Sequence, residues 1–221
     1  MTRSSRRDWS STLTDIRRFN AACRDGGPGA LRAFADLTSR LFCLTVGDPR
    51  KGAVHIEYGE RRGHGTVAGG FGKGEEAIVL TNGYLLVLTV ALYIDETKPD
   101  NFLRASLSKY QYQTDRPGNK SWIFRYEYKR DPGDSRHPAA HLHVDGDPRC
   151  GDMKCGRELR SIHFYTGRPT VESTIRLLIE QFEVRPNSPR EVWQPALGES
   201  EQSFLNVAHR PALGPTSGAS P

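Results

Sequence analysis

Between Ala77 and Asp145 apolar and polar residues alternate in short runs, and each run ends in a turn signal. A two-residue period sends successive side chains to opposite faces of a strand, so this segment is committed to a sheet. "AIVL", "TNGY" and "LLVLTVALYID" read as a strand, an Asn-Gly turn and a second strand, the strongest short hairpin signal. "NFLRASLSKYQYQTD" puts Leu103, Ala105 and Leu107 on one side and Arg104, Ser106, Ser108, Tyr110 and Tyr112 on the other. After "RPGNK", "SWIFRYEYKR" puts Trp122, Phe124, Tyr126 and Tyr128 on one face and Ile123, Arg125, Glu127 and Lys129 on the opposite one. "DPGDSRHP" turns the chain into "AAHLHVD". Strand after strand with short turns describes an antiparallel meander of about five strands.

The flanks carry a different period. Leu13, Ile16, Phe19 and Ala22 or Cys23 recur at helical spacing in residues 10–24, with Ser10 or Ser11 placed to cap. Pro28 opens a second stripe, Leu31, Phe34, Leu37, Leu41 and Leu44. Thr170 is placed to cap a helix over 171–182 that buries Ile175, Leu178, Ile179 and Phe182. A short helix over 190–197 is anchored by Trp193. The fold class is therefore α+β, an antiparallel meander with helices packed mainly on one face. Residues 1–45 form a helical hairpin and 77–185 the core domain. Residues 186–221 form an extension, disordered after about residue 206 on its Pro/Gly/Ser-rich composition.

Residues 46–76 lie between the hairpin and the core. A strand around 53–58 is followed by "GERRGHGTVAGGFGKGEE", seven glycines in eighteen residues, which reads as a flexible loop. "GGFGKGEE" lacks the Lys-Ser/Thr pair of a phosphate loop.

Composition narrows the partners. The net charge of +5 favours an anionic partner such as nucleic acid. The longest apolar run, "YLLVLTVALYI", has eleven residues, too few to span a bilayer. No apolar run follows the basic "MTRSSRRDW", so no signal peptide is expected and the chain reads as cytoplasmic, with no membrane partner. Its four cysteines are then free thiols or metal ligands rather than disulfides, with Cys23 and Cys43 in or near the core.

The chemistry concentrates in "HPAAHLHVDGDPRCGDMKCG", residues 137–156. On a strand His141 and His143 share one face, while Leu142 and Val144 take the other and turn to the core. Two imidazoles about 7 Å apart at Cβ can grip one metal ion or act as acid and base at one phosphate. The alternative is a solvated strand face. His163, in "SIHFYTGRPT", is a third catalytic candidate. Arg168 and Thr170 lie where the free N–H groups of a helix start favour an anion, and with Arg125 they are phosphate-binding candidates facing the imidazoles. Cys150 and Cys155, spaced C-x4-C, could complete a Cys2His2 zinc site with His141 and His143. The aromatic face, Tyr110, Tyr112, Trp122, Phe124, Tyr126 and Tyr128, is either a platform for stacked bases or a face covered by helices. Covering by helices is the expectation.

"FRYEYKRDPGDSRHPAAHLHVDGD", an aromatic strand, a polar turn and a Pro-preceded His-x-His strand, resembles the small bacterial toxin–antitoxin proteins of the TumE type. "IHFYTGRPTVESTIRLLIEQFEV" is similar to the closing helix of uncharacterised actinobacterial proteins with such strands. The resemblance covers about residues 108–184 and implies a toxin or stress effector acting on RNA or a nucleotide, with an antitoxin as partner. The N-terminal helices, the glycine loop and the Cys150–Cys155 insertion are additions to that pattern. A non-catalytic module binding protein or nucleic acid, with a structural zinc, is the competing class.

Overall fold

A computed structural model describes residues 3–25, 29–49, 54–69, 77–95, 103–114, 122–133, 138–145 and 164–208. The order of elements is α1 (Arg3–Asp25), α2 (Gly29–Leu44), β1 (Val54–Tyr58), β2 (His64–Gly69), β3 (Ile78–Val79), β4 (Leu85–Ile94), β5 (Leu103–Gln113), β6 (Trp122–Lys129), β7 (Ala140–Val144), β8 (Phe164–Tyr165), α3 (Val171–Gln181) and α4 (Arg190–Ala208). The strands form one antiparallel sheet in the order β1-β2-β4-β5-β6-β7-β8, with β3 pairing β4. The fold is α+β with its helices against one face of the sheet, as the alternation and flanking periods implied.

The described residues give eight strands where the sequence pattern gave about five. Two of the additional strands, β1 and β2, come from 46–76. The strand expected around 53–58 is present, but "HGTVAG" is a strand too, not a flexible loop. Its glycines serve close packing. A Cβ at Gly65 would meet Leu31 Cδ1 at 3.2 Å, and one at Gly69 would meet Ile78 Cγ1 at 3.0 Å. Gly63 supplies a positive φ of 79° where the chain turns into β2. Val67, between them, is fully buried.

Of the sixteen residues of α2, ten are buried, more than one face can account for. The helix lies against β1 and β2 on one side and against α1 and α4 on the others. Phe34 joins these layers, with ring centroids 5.9 Å from Phe19 and 5.3 Å from Phe204. α4 runs on to Ala208 rather than stopping near residue 197. Val192, Trp193, Ala196, Leu197, Ser200, Ser203 and Phe204 form a buried stripe that carries it past Pro195 and Gly198. Disorder after about residue 206 falls otherwise on residues 209–221, outside the described residues.

Two bulges decide which side chains face the helices. Leu107 pairs with Ala91 but Ala105 pairs with Leu92, so Ser106 is an extra residue in β5. Arg130 binds there: its backbone N–H donates to Ser106 O at 2.9 Å and its Nε donates to Ala105 O at 3.0 Å. Leu103 and Ala105 therefore share the core face with Ser108, Tyr110 and Tyr112, while Leu107 and Lys109 turn to the open face. Strict alternation had placed Leu107 with Leu103. In β6, Gln113 pairs with Trp122 and Tyr112 with Phe124, so Ile123 is skipped and packs toward the core. Trp122 thereby leaves the aromatic face and lies 5.4 Å from the guanidinium carbon of Arg125.

Tyr110, Tyr112, Phe124 and Tyr128 are buried under the helices. Phe182, at the end of α3, stands 5.2 Å from Tyr112 and 5.3 Å from Phe124. These rings are core, not a base-stacking platform. No helix among the described residues is long and apolar enough to cross a membrane.

Candidate metal centre

The face of the sheet away from the helices carries the polar members of β5, β6 and β7. Cross-strand partners share a face, and the register pairs Glu127 with His141 and Arg125 with His143. Leu142 takes the other side and packs against the core. The imidazoles are not solvated: His141 is 7% exposed and His143 is 4% exposed. They line a cleft of about 540 Å³ together with Leu107, Lys109, Lys129, Pro132 and Pro138.

One ligand atom from each of Glu127, His141 and His143 lies within 4.8 Å of the others. Glu127 Oε2 is 3.3 Å from His141 Nε2 and 3.8 Å from His143 Nε2. A tetrahedral ion with bonds of about 2.0–2.2 Å needs its ligand atoms about 3.3–3.5 Å apart. The first distance already meets that, the second needs a shift of a few tenths of an ångström, and the two imidazole nitrogens, within 4.8 Å of each other, need to close by up to about an ångström.

Hydrogen bonding orients the first imidazole. His141 Nδ1 is 2.9 Å from Pro138 O. A carbonyl only accepts, so Nδ1 carries a proton, which leaves Nε2 facing the carboxylate either with a second proton or with a lone pair open to a cation. Two lone pairs facing each other repel unless a proton or a cation lies between them. Backbone carbonyls orient metal-ligating imidazoles in this way. The other carboxylate oxygen, Glu127 Oε1, stands 3.0 Å from Arg125 Nε. That N–H is not aimed along a hydrogen bond, so the contact is an ion pair that steadies the carboxylate. Arg125→Gln is expected to weaken metal binding about 10- to 100-fold, the usual effect of removing a group that supports a ligand. A competition titration with a chromogenic chelator measures it, and unchanged affinity would assign Arg125 no part in holding Glu127.

Two imidazoles and a carboxylate suit a divalent transition ion better than magnesium or calcium, which take oxygen ligands. Three protein ligands leave a coordination position for water or substrate, the pattern of catalytic rather than structural zinc sites. The described residues thus contain a buried His-x-His/Glu cluster capable of chelating a metal ion.

The other candidates lie elsewhere. Arg168 is on the helix side, its guanidinium carbon 4.8 Å from the Tyr128 ring and 5.1 Å from that of Phe204. Thr170 caps α3, accepting from Ser173 N at 3.0 Å, and its hydroxyl donates to Glu201 Oε1 at 2.6 Å. Neither residue is brought to the imidazoles, because the sheet lies between. Arg125 is brought there, on the carboxylate. His137, His163, Cys150 and Cys155 lie outside the described residues. Cys23 is buried and Cys43 half-buried.

The residue that sequence reasoning missed is Glu127. It stood on the polar face of the strand preceding the His-x-His strand, which was a usable signal. What the sequence lacked was the hairpin register that sets it opposite His141. No protein-family model matches the chain, and neither a curated protein nor a solved structure shows significant similarity to it.

Proposed function

We propose that the protein is a metal-dependent hydrolase that cleaves a phosphodiester in RNA or a nucleotide, with Glu127, His141 and His143 holding one zinc ion. The observation that carries this reading is the convergence of the three ligand atoms in an open-faced cleft. Lys109, Arg125 and Lys129 line the same cleft, so its charge suits an anionic substrate. The ion would polarise a phosphoryl oxygen and make bound water acidic enough to attack near neutral pH. The chain's own residues have separate tasks. Pro138 O fixes the tautomer of His141, Arg125 steadies Glu127, and the two lysines hold substrate oxygens. The resemblance of residues 108–184 to TumE-type proteins supports the choice of RNA or nucleotide and implies an antitoxin partner in the cytoplasm.

The test is cleavage of single-stranded RNA by the full chain with zinc or manganese supplied. We expect activity that a chelator abolishes and that His141→Ala/His143→Ala reduces by at least about a hundredfold. Cleavage persisting in that double variant, shown by circular dichroism to be folded, would refute the catalytic assignment.

A further inference from the structure

On the helix side of the sheet, Arg168 lies over the Tyr128 ring and within electrostatic reach of Arg130. Arg168 Nη1 donates to Ala208 O at 2.9 Å. Its Nε and Nη2 are buried and have no acceptor. These two N–H groups form one parallel edge of the guanidinium, the edge that grips a carboxylate or phosphate through two bonds. Arg130 Nε is spent on Ala105 O, but Arg130 Nη2 is likewise buried without a partner. The hydroxyl of Thr166, two residues before Arg168, is a further buried polar group left unbonded.

Such an arrangement costs free energy as it stands. Unsatisfied buried donors lose their hydration, and a buried charge without a counter-charge loses more. Burial holds the pKa of Arg168 below its ordinary value, and the nearby charge of Arg130 acts in the same direction. The Tyr128 and Phe204 rings offset part of this by cation–π contact. They supply no acceptor for the open edge. Among the described residues no carboxylate pairs with either guanidinium, and Glu172 and Glu201 are engaged with Ser200, Thr170 and Arg176.

We propose that Arg130, Arg168 and Thr166 form an anion site that takes a tetrahedral oxyanion of the phosphate class. Donors from three side chains suit a tetrahedral group better than a planar one. The 166–170 segment between β8 and α3 gives access: it has no regular secondary structure, and Gly167 within it is exposed. The site is separate from the metal centre, because the sheet divides them, and it does not depend on the hydrolase reading.

The test titrates the full chain with inorganic phosphate at constant ionic strength, using chloride as the reference salt, and follows Tm and binding heat. We expect a saturable rise in Tm with phosphate alone. Arg168→Gln, Arg130→Gln and Thr166→Val should each weaken phosphate binding, the arginine variants by about tenfold or more, the worth of one charge-assisted hydrogen bond. The Arg130 and Thr166 variants keep the test decisive if Arg168→Gln does not fold. His141→Ala should bind phosphate as the parent does. Competition by a 5′-mononucleotide would identify the bound group as a phosphate ester, and its absence as free phosphate. No saturable effect beyond chloride, undiminished binding in Arg130→Gln, or loss of binding in His141→Ala would each overturn the proposal.

Discussion

Single replacement of Glu127, His141 or His143 is expected to lower zinc affinity by more than the 10- to 100-fold typical of residues that merely support a ligand. The reason is geometric. All three ligand atoms lie within 4.8 Å of one another, and the imidazoles are almost wholly buried. Removing one leaves two ligands, and nothing else in the described cluster takes its place. Glu127→Gln is the most informative of the three, because it keeps size and shape and removes only the charge. It should also release Arg125 from its ion pair. Calorimetric titration of the folded variants measures the effect. Equal affinity in Glu127→Gln and the parent would mean that the carboxylate is not a ligand.

The second large effect concerns stability and lies away from the metal centre. Glu172, in the first turn of α3, is fully buried. Burial raises its pKa to about 7, while Ser200 Oγ, donating to Oε1 at 2.5 Å, opposes the rise. Nearby Glu201 raises it further and Arg176 lowers it. The folded protein thus keeps a proton that the unfolded chain releases at ordinary carboxylate pH. This contribution is fully present below about pH 4.5 and is lost as pH rises through about 7. The loss amounts to about 3 kcal/mol. Glu172→Gln, which stays neutral, should match the parent near pH 4.5 and exceed it at pH 8 by up to that amount. Urea unfolding at both pH values measures the difference. A variant less stable than the parent at pH 8 would show that ionised Glu172 is well compensated in the fold.

The sheet and the helical stripes were readable because each depends on local period. Alternation located β4, β5, β6 and β7, and the 3.6-residue stripes located α2 and α3. Local period failed where packing sets the rule. Glycines 63, 65 and 69 suggested a loose loop, but Gly63 makes the turn into β2, and Gly65 and Gly69 let the strand approach Leu31 and Ile78 closely. The bulge at Ser106 reversed the faces of half of β5, and no residue there announces it. The short helix expected over 190–197 runs on to Ala208, because the buried stripe of α4 carries it past Pro195 and Gly198.

The same division holds at the metal centre. That His141 and His143 share a face followed from the strand period alone. Their burial depended on the cleft formed with neighbouring strands, and the role of Glu127 depended on hairpin register. Arg168 and Thr170 were expected to face the imidazoles because a helix start favours an anion, yet the sheet separates them.

Cobalt(II) titration of the full chain, followed by visible absorption, tests the central claim most directly. Cobalt accepts the same ligands as zinc, and its spectrum distinguishes nitrogen and oxygen donors from thiolates. A single site built from Glu127, His141 and His143 predicts saturation at about one equivalent. It also predicts ligand-field bands without a thiolate charge-transfer band, and loss of those bands in Glu127→Gln, His141→Ala and His143→Ala. No saturable uptake would contradict it. So would a thiolate band that survives Glu127→Gln and disappears in Cys150→Ser/Cys155→Ser.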